Sequence, residues 1–279
     1  MKMLSSSFET FDYLQNLKHQ KKPTGFVPTM GYLHAGHLSL VDIAAQHADI
    51  VVMSIYVNPT QFGPNEDFEK YPRDLNRDIR LIEKKVDVLF TPATNDIYGL
   101  KDIPTWKDQN NLESQLCGKS RPGHFKGVAE IVLRLFKVVD PQVAVFGEKD
   151  YQQLTLIRRM VEDLGLKIKI LGGPTLRDTD GLALSSRNIY LNPESRKEAL
   201  TLYEAIQLAQ NLVKKGELSV ANIKATLMRL FNSHPSLEID YIEIVNAHTL
   251  APLEKINQPA RLMLAVRIQG VRLIDNASL

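Results

Sequence analysis

The chain has 279 residues, of which 44% are apolar, enough for one large or two modest domains with a substantial core. Its 34 basic and 32 acidic residues leave a formal charge of +2, and no Lys/Arg run is long enough to form a stripe; this excludes nucleic acid as an expected partner and leaves small anions open. The single cysteine, Cys117, rules out an internal disulfide and a thiolate-cluster metal site and fits a reducing cytoplasm, while no stretch approaches the roughly 18 apolar residues of a membrane span.

Residues 1–7 carry no continuous apolar stretch, so no signal peptide is expected, and Phe8, Phe11, Leu14 and Leu17 then recur at the spacing of an amphipathic helix. Short apolar runs at 25–27, 50–56, 86–90, 143–146 and 168–171 predict strands, separated by helical patterns. Leu75, Ile79, Ile82 and Val86 form one helical stripe, residues 128–139 a nearly all-apolar buried helix, and Leu154, Ile157, Val161 and Leu164 another stripe. This rhythm is that of a parallel sheet with helices on both faces. The texture changes after Arg187. Asn192-Pro193 reads as the N-cap and first position of a helix ending near Gly216, Val220, Ile223, Leu227 and Leu230 predict a second helix, and the alternation Leu262, Leu264, Val266, Ile268 followed by Gly270 and a further apolar run predicts an antiparallel hairpin. The expected fold is α/β: a Rossmann-like doubly wound parallel sheet over residues 1–187, with a smaller α+β cap over residues 188–279.

The most informative segment is Pro28-Thr29-Met30-Gly31-Tyr32-Leu33-His34-Ala35-Gly36-His37, where an apolar strand turns into a helix predicted from Leu38 onward. Gly31 and Gly36 are expected in the connecting turn, Gly36 letting a ligand approach the backbone. A helix start offers unpaired backbone N–H groups and the positive end of its dipole, which favours an anion. His34 and His37, three residues apart, face one side of that first turn, each with a ring N–H for a phosphate oxygen.

In such a sheet ligands bind beyond the carboxyl ends of the strands, so the residues after each strand carry the information. In Val57-Asn58-Pro59-Thr60-Gln61-Phe62-Gly63-Pro64 the prolines and glycine fix a loop, and Asn58 and Gln61 offer neutral amides. In Gly147-Glu148-Lys149-Asp150-Tyr151-Gln152-Gln153 a capping box accounts for Asp150 and Gln153, but a lysine at a helix start opposes the dipole unless an anion is present, so Lys149 points to phosphate. The segment 174–187, ending in Leu184-Ser185-Ser186-Arg187, reads either as a linker or as a mobile loop that closes over a triphosphate. Arg121-Pro122-Gly123-His124-Phe125-Lys126-Gly127 is a basic, glycine-hinged loop, either a solvated rim or a wall of the site. Gly118-Lys119-Ser120 imitates the end of a P-loop, but Glu113 stands where its first glycine is required; with no G-x-G-x-x-G and no H-E-x-x-H, dinucleotide oxidoreductases and zincins are set aside as well.

These blocks, with Ser120-Arg121-Pro122-Gly123-His124-Phe125 and Ser185-Ser186-Arg187-Asn188, closely resemble in order and over nearly the whole chain the pantothenate synthetase (pantoate–β-alanine ligase) family, within the nucleotidyltransferase superfamily named for its H-x-G-H signature. The resemblance implies a ligase of vitamin B5 and coenzyme A biosynthesis: (R)-pantoate joined to β-alanine with ATP and Mg²⁺ through a pantoyl-adenylate, releasing AMP and pyrophosphate, in a cytoplasmic homodimer. It implies an ATP site formed by Met30, Gly31, Tyr32, Leu33, His34, Ala35, Gly36 and His37, by Gly147, Glu148, Lys149 and Asp150, and by Leu176, Leu184, Ser185, Ser186 and Arg187. By the same resemblance His37 is the proton donor, and His34, His37, Lys149 and Arg187 supply positive charge around the phosphates. Gln61 and Gln153 are implied to hold pantoate, Gln61 also lying near β-alanine, with Asn58 and Arg121 as further substrate contacts and the Mg²⁺ ligands unassigned. Leu176 and Leu184 stand where many relatives carry Val and Met, apolar exchanges that touch only fine affinity. Among competing readings, a nucleotidylyltransferase shares the first motif but does not need Gln61 and Gln153. A class I aminoacyl-tRNA synthetase fragment conflicts with the near-neutral charge, and a nucleotide-sensing module would bind ATP without turnover.

Overall fold

Strand alternation sorts the core into two layers. In this computed structural model, which describes every residue except Asn65 and Asn110, Phe26, Val52, Val88, Phe90, Ala144 and Phe146 contribute to one hydrophobic layer and Val27, Val51, Met53, Leu89, Val143 and Val145 to the other. They belong to β1 (Lys2–Leu4), β2 (Thr24–Thr29), β3 (Ile50–Ile55), β4 (Val88–Phe90), β5 (Val143–Gly147) and β6 (Lys169–Gly173), all parallel, in the order β1-β4-β3-β2-β5-β6. The helices are α1 (Ser7–His19), α2 (Ala35–Ala45), α3 (Leu75–Ile82), α4 (Thr94–Gly99), the single turn α5 (Cys117–Ser120), α6 (His124–Val139), α7 (Tyr151–Asp163), α8 (Pro193–Ala199), α9 (Thr201–Lys214) and α10 (Val220–Asn232). Leu14 of α1, Ile97 of α4, Phe136 of α6 and Ile157 of α7 fill the first layer, and Val41 of α2 and Ile82 of α3 the second. Among the described residues no helix is long and apolar enough to cross a membrane.

The register of the sheet opens the site. β2 pairs with β3 along its whole length, to Thr29↔Ile55, but with β5 only at Gly25↔Val143 and Phe26↔Ala144. Pro28, which has no N–H to give a ladder, lies beyond the point where the β2–β5 ladder has ended. The strands part there, leaving the crevice at which doubly wound sheets bind ligands.

Residues from Leu182 onward build a second core. The helices α8, α9 and α10 cover an antiparallel sheet of β7 (Leu237–Asn246), β8 (Ala260–Ile268) and β9 (Val271–Ser278), in the order β7-β8-β9. Leu262, Leu264, Val266 and Ile268 of β8 point into this core, whereas Met263 joins the first core, so the small sheet packs against the large one. Three details differ from the sequence expectation. The hairpin has a third strand, β7, whose alternation is interrupted by a bulge between Ile239 and Tyr241. The helix expected from 193 to 216 is broken at Leu200, where Leu200 N–H bonds Lys197 and Tyr203 N–H bonds Leu200 in tight three-residue turns. Phe8 and Phe11 are exposed, because Asp96 accepts the Ser7 N–H at 2.8 Å and Ser7, Thr10 and Leu14 turn inward instead.

Gly127 of α6 lies so close to the 3₁₀ turn Pro59–Gln61 that a Cβ there would meet the Thr60 carbonyl oxygen at 2.4 Å. The Gly127→Ala protein is therefore expected to lose about 1–3 kcal/mol of stability, read as a lower urea midpoint. Because the same contact seats Gln61, activity per folded molecule should fall too; an unchanged midpoint with full activity would show that the turn yields freely.

Candidate active site

α2 begins earlier than its apolar pattern because His34 is its N-cap. The His34 backbone is extended, its ring Nδ1 accepts the Gly36 N–H at 3.2 Å, and the ring Nδ1 of His37 accepts the His34 N–H at 3.3 Å. The pair forms the reciprocal capping box usually built from Ser or Thr with Glu. Gly36 thus lies in the first helical turn and not in the connecting loop, and two N–H groups expected to await an anion are already occupied. With both Nδ1 atoms accepting, each neutral imidazole carries its proton on Nε2, the donor it can offer a ligand. Desolvation, reinforced by Lys149, lowers His34 to about 4, and desolvation with the neighbouring His34 lowers His37 to about 3. At neutral pH these rings therefore act as neutral donors and not as the positive charges the sequence reading expected. The turn ahead of them holds Gly31 at φ +84° and is fixed by the buried Asp78 of α3, whose carboxylate accepts the N–H groups of Tyr32 at 2.7 Å and Leu33 at 2.8 Å.

Positive charge enters with Lys149 and Arg187. Lys149 sits in the 3₁₀ turn Glu148–Asp150 directly after β5, its Nζ 3.6 Å from Asp150. The capping box expected for α7 is not formed: Asp150 is the N-cap residue but its side chain makes no cap bond. Burial pushes its carboxyl up, yet Lys149, Arg187 and His124 outweigh this and hold it below the usual carboxylate range. Arg187 forks onto Asp67 at 2.8 and 2.9 Å, and its guanidinium lies 5.4 Å from the Tyr71 ring centre. The Ser186 hydroxyl donates to the Tyr32 carbonyl at 3.2 Å, tying the 174–187 segment to the histidine turn.

On the other side of the crevice, Asn58 caps the turn Pro59–Gln61. Its Oδ1 accepts from the Thr60 N–H at 3.4 Å and the Tyr98 hydroxyl at 2.7 Å, and its Nδ2 donates at 3.2 Å to both the Gly127 carbonyl and Gln61 Oε1. Expected as a substrate contact, Asn58 has its amide committed to holding Gln61. Arg121 is likewise paired already, with Glu66 at 2.5 and 2.6 Å and His124 Nε2 at 2.9 Å. His124 begins α6, so residues 124–127 are helix and not loop; its Nδ1 lies 2.8 Å from the Gln61 carbonyl, which leaves Nε2 to accept from Arg121. Gln152, buried at the cavity wall, bonds the Cys117 N–H and the Leu112 and Gln115 carbonyls, and Gln153 lines the cavity beside it.

A cavity of about 760 Å³ brings together Met30, His34, Gly36, His37, Asn58, Gln61, Arg121, Gly147, Lys149, Asp150, Gln153, Leu176, Leu184, Ser185, Ser186 and Arg187. That is the usual size of a small-molecule site. Gly31, Tyr32, Leu33, Ala35 and Glu148 lie outside its lining; Leu33 is wholly buried in the core and Glu148 pairs with Arg261 at 3.1 Å. The sequence reading missed Asp67 and Tyr71, which lie in an aperiodic stretch with no local signal, and Asp275-Asn276 of β9, signalled only by two polar residues closing an apolar strand.

The family model for pantoate–β-alanine ligase matches residues 2–278. Among similar curated proteins, a pantothenate synthetase of Thermotoga petrophila is 46% identical over 280 residues, covering 100% of both chains, and one of Fervidobacterium nodosum is 51% identical over 256 residues, covering 91% of each. Among solved structures, a pantothenate synthetase from Thermus thermophilus superposes with a TM-score of 0.93 at 45% identity, covering 99% of both chains. A pantoate–β-alanine ligase from Francisella tularensis, described as complexed with Beta-gamma ATP and β-alanine, gives 0.80 at 35% identity, covering 100% of this chain and 97% of its own.

The depressed histidines set a pH dependence. His34, His37 and His124 are lowered to about 4, 3 and 4, each mainly by desolvation, so between about pH 4 and the unfolded value near 6.5 the unfolded chain binds more protons than the folded one. Stability is fully present above about pH 6.5 and is lost as the pH falls toward 4. The urea midpoint is expected to drop between pH 7 and pH 5.5, and the His34 and His37 ring resonances should not titrate between pH 8 and pH 5; either ring titrating near 6.5 would contradict the buried, neutral pair.

Proposed function

The chain belongs to the pantoate–β-alanine ligase family, and from that premise we propose that it condenses (R)-pantoate with β-alanine at the expense of ATP through a pantoyl-adenylate, releasing AMP and pyrophosphate. The observation that carries the reading is one cavity lined both by a phosphate-directed set, His34, His37, Lys149 and Arg187, and by two uncharged amides, Gln61 and Gln153. A nucleotidylyltransferase of the same superfamily would use the first set and leave the two amides without a task.

In the first step the pantoate carboxylate, ionised at neutral pH, attacks the α-phosphorus; alignment and charge neutralisation matter more than a base. Lys149 and Arg187 oppose the phosphate charge, and the Nε2–H groups of His34 and His37 donate to phosphate oxygens. With its pKa near 3, His37 acts as a hydrogen-bond donor to an oxygen gaining charge and not as an acid that gives up a proton at pH 7. The Gln61 and Gln153 amides pair with the hydroxyls and carboxylate of pantoate without a second ion to desolvate. In the second step the amine of β-alanine displaces AMP from the acyl carbon. The 174–187 segment, tied down through Ser186 and Arg187, keeps water from the reactive mixed anhydride.

Among the described residues no three His, Cys, Asp or Glu side chains cluster as a metal cage. Mg²⁺ fits this site as a passenger of the triphosphate, with the ionised Asp150 as the carboxylate at hand, and when bound it would screen phosphate charge. The same reading extends to a cytoplasmic homodimer, for which the exposed Met3, Phe8 and Phe11 supply apolar surface.

Pyrophosphate release and AMP formation should require ATP, Mg²⁺ and pantoate, with steady turnover only when β-alanine is added; release indifferent to pantoate would sink the ligase reading and promote the nucleotidylyltransferase. The His37→Ala protein is expected to fold and to lose about 10²–10⁴-fold in adenylation rate, near-normal turnover removing His37 from the chemistry. Gln153→Ala should raise the KM for pantoate; a change confined to the KM for β-alanine would mean that the pocket has been placed wrongly.

A further inference from the structure

The last strand of the second unit reaches the phosphate-facing turn. Asn276 of β9, 127 residues beyond Lys149, donates its Nδ2 to the Lys149 carbonyl at 2.8 Å and to the Glu148 carbonyl at 3.0 Å. Its Oδ1 accepts from Arg261 Nε at 2.6 Å, which fixes the orientation of the amide. Arg261 is held in turn by Glu148 Oε2 at 3.1 Å and by stacking on Tyr151, 3.6 Å from the ring centre. Asn276 and Arg261 are 3% and 7% exposed, and both ends of the Asn276 amide are committed to protein partners. Among the described residues the Lys149 side chain, by contrast, pairs only with Asp150, at 3.6 Å, so its place in the cavity is governed by where its backbone is held. The preceding residue, Asp275, forks onto Arg177 at 2.6 and 2.9 Å, and Arg177 sits beside Leu176, whose carbonyl accepts the Leu184 N–H at 2.9 Å. One dipeptide of the small sheet thus holds two walls of the nucleotide site.

We propose that Asn276 is a positioning residue for Lys149: by satisfying two consecutive carbonyls of the Glu148–Asp150 turn it sets the lysine against the nucleotide phosphates, and it does so from the second unit. The inference rests on the nucleotide site proposed above. Removing Asn276 takes one shared side-chain donor from two half-buried carbonyls, so the turn should relax toward water and carry Lys149 with it.

A double-mutant cycle tests this. Asn276→Ala, Lys149→Ala and the double variant are compared with the parent by the kcat of pantoate-dependent pyrophosphate release and by the Kd for ATP. Asn276→Ala should lower kcat about tenfold and weaken ATP in the parent background, yet change either less than twofold when Lys149 is already Ala; the KM for β-alanine should stay put. Equal losses in both backgrounds, the mark of a merely structural role, would overturn the proposal, as would no loss in the parent. Arg261→Lys keeps the charge but loses the fork that orients the amide. It should show the same non-additivity at smaller amplitude and decides the matter if Asn276→Ala does not fold. A parent that released no pyrophosphate with pantoate would refute the proposed reaction, while the ATP-binding cycle would still decide what Asn276 does.

Discussion

β2 and β5 exchange hydrogen bonds only as far as Phe26 and Ala144, and the gap beyond that point is the constraint around which the functional groups are arranged. In a parallel sheet the carboxyl ends of all strands lie on one edge, so the segments following β2, β3, β5 and β6 converge there without being near one another in sequence. The histidine turn, the Asn58–Gln61 turn, the Lys149 turn and the 174–187 segment are these four. A β2 paired with β5 over its full length would close the gap and leave each of them an ordinary surface loop.

Within the crevice the electrostatic work is divided. Two neutral imidazoles and two neutral amides line the cavity, and the charged side chains nearest the histidine turn include Lys149 and Arg187, with Asp150 and Asp67 beside them. The histidines also cap their own helix, so ring orientation, tautomer and protonation state follow from one pair of backbone hydrogen bonds. Asn58, Arg121 and His124 form the comparable support for Gln61, each with its polar atoms turned toward other protein groups. The small C-terminal sheet completes the arrangement by holding the Lys149 turn through Asn276 and the Arg177 strip through Asp275.

Much of this was legible in the chain. Five of the six strands of the large sheet announce themselves as apolar runs bounded by turns, and His34, His37, Lys149 and Arg187 all fall just after such runs or in the polar loop that follows them. What escaped notice did so for physical reasons. β7 hides its alternation behind a bulge, and the edge strand β1, Lys2-Met3-Leu4, is mostly exposed and so carries no apolar run. Phe8 and Phe11 have the spacing of a buried stripe, but the bond between Ser7 and Asp96 turns the helix the other way. Asn58 and Arg121 have the chemistry of substrate contacts, and only their distant partners Gly127, Tyr98 and Glu66 reveal that they are occupied.

By itself, then, the sequence determined what depends on near neighbours: the alternation of strands and helices, the turns between them, and which polar residues stand at the strand ends. Tertiary structure alone decided the protonation of His34 and His37, which amides are taken up by protein partners, and that a residue of the last strand grips the Lys149 turn. Periodicity and turn chemistry act over a few residues, whereas desolvation and hydrogen-bond occupancy depend on atoms that only the folded chain brings within a few ångströms.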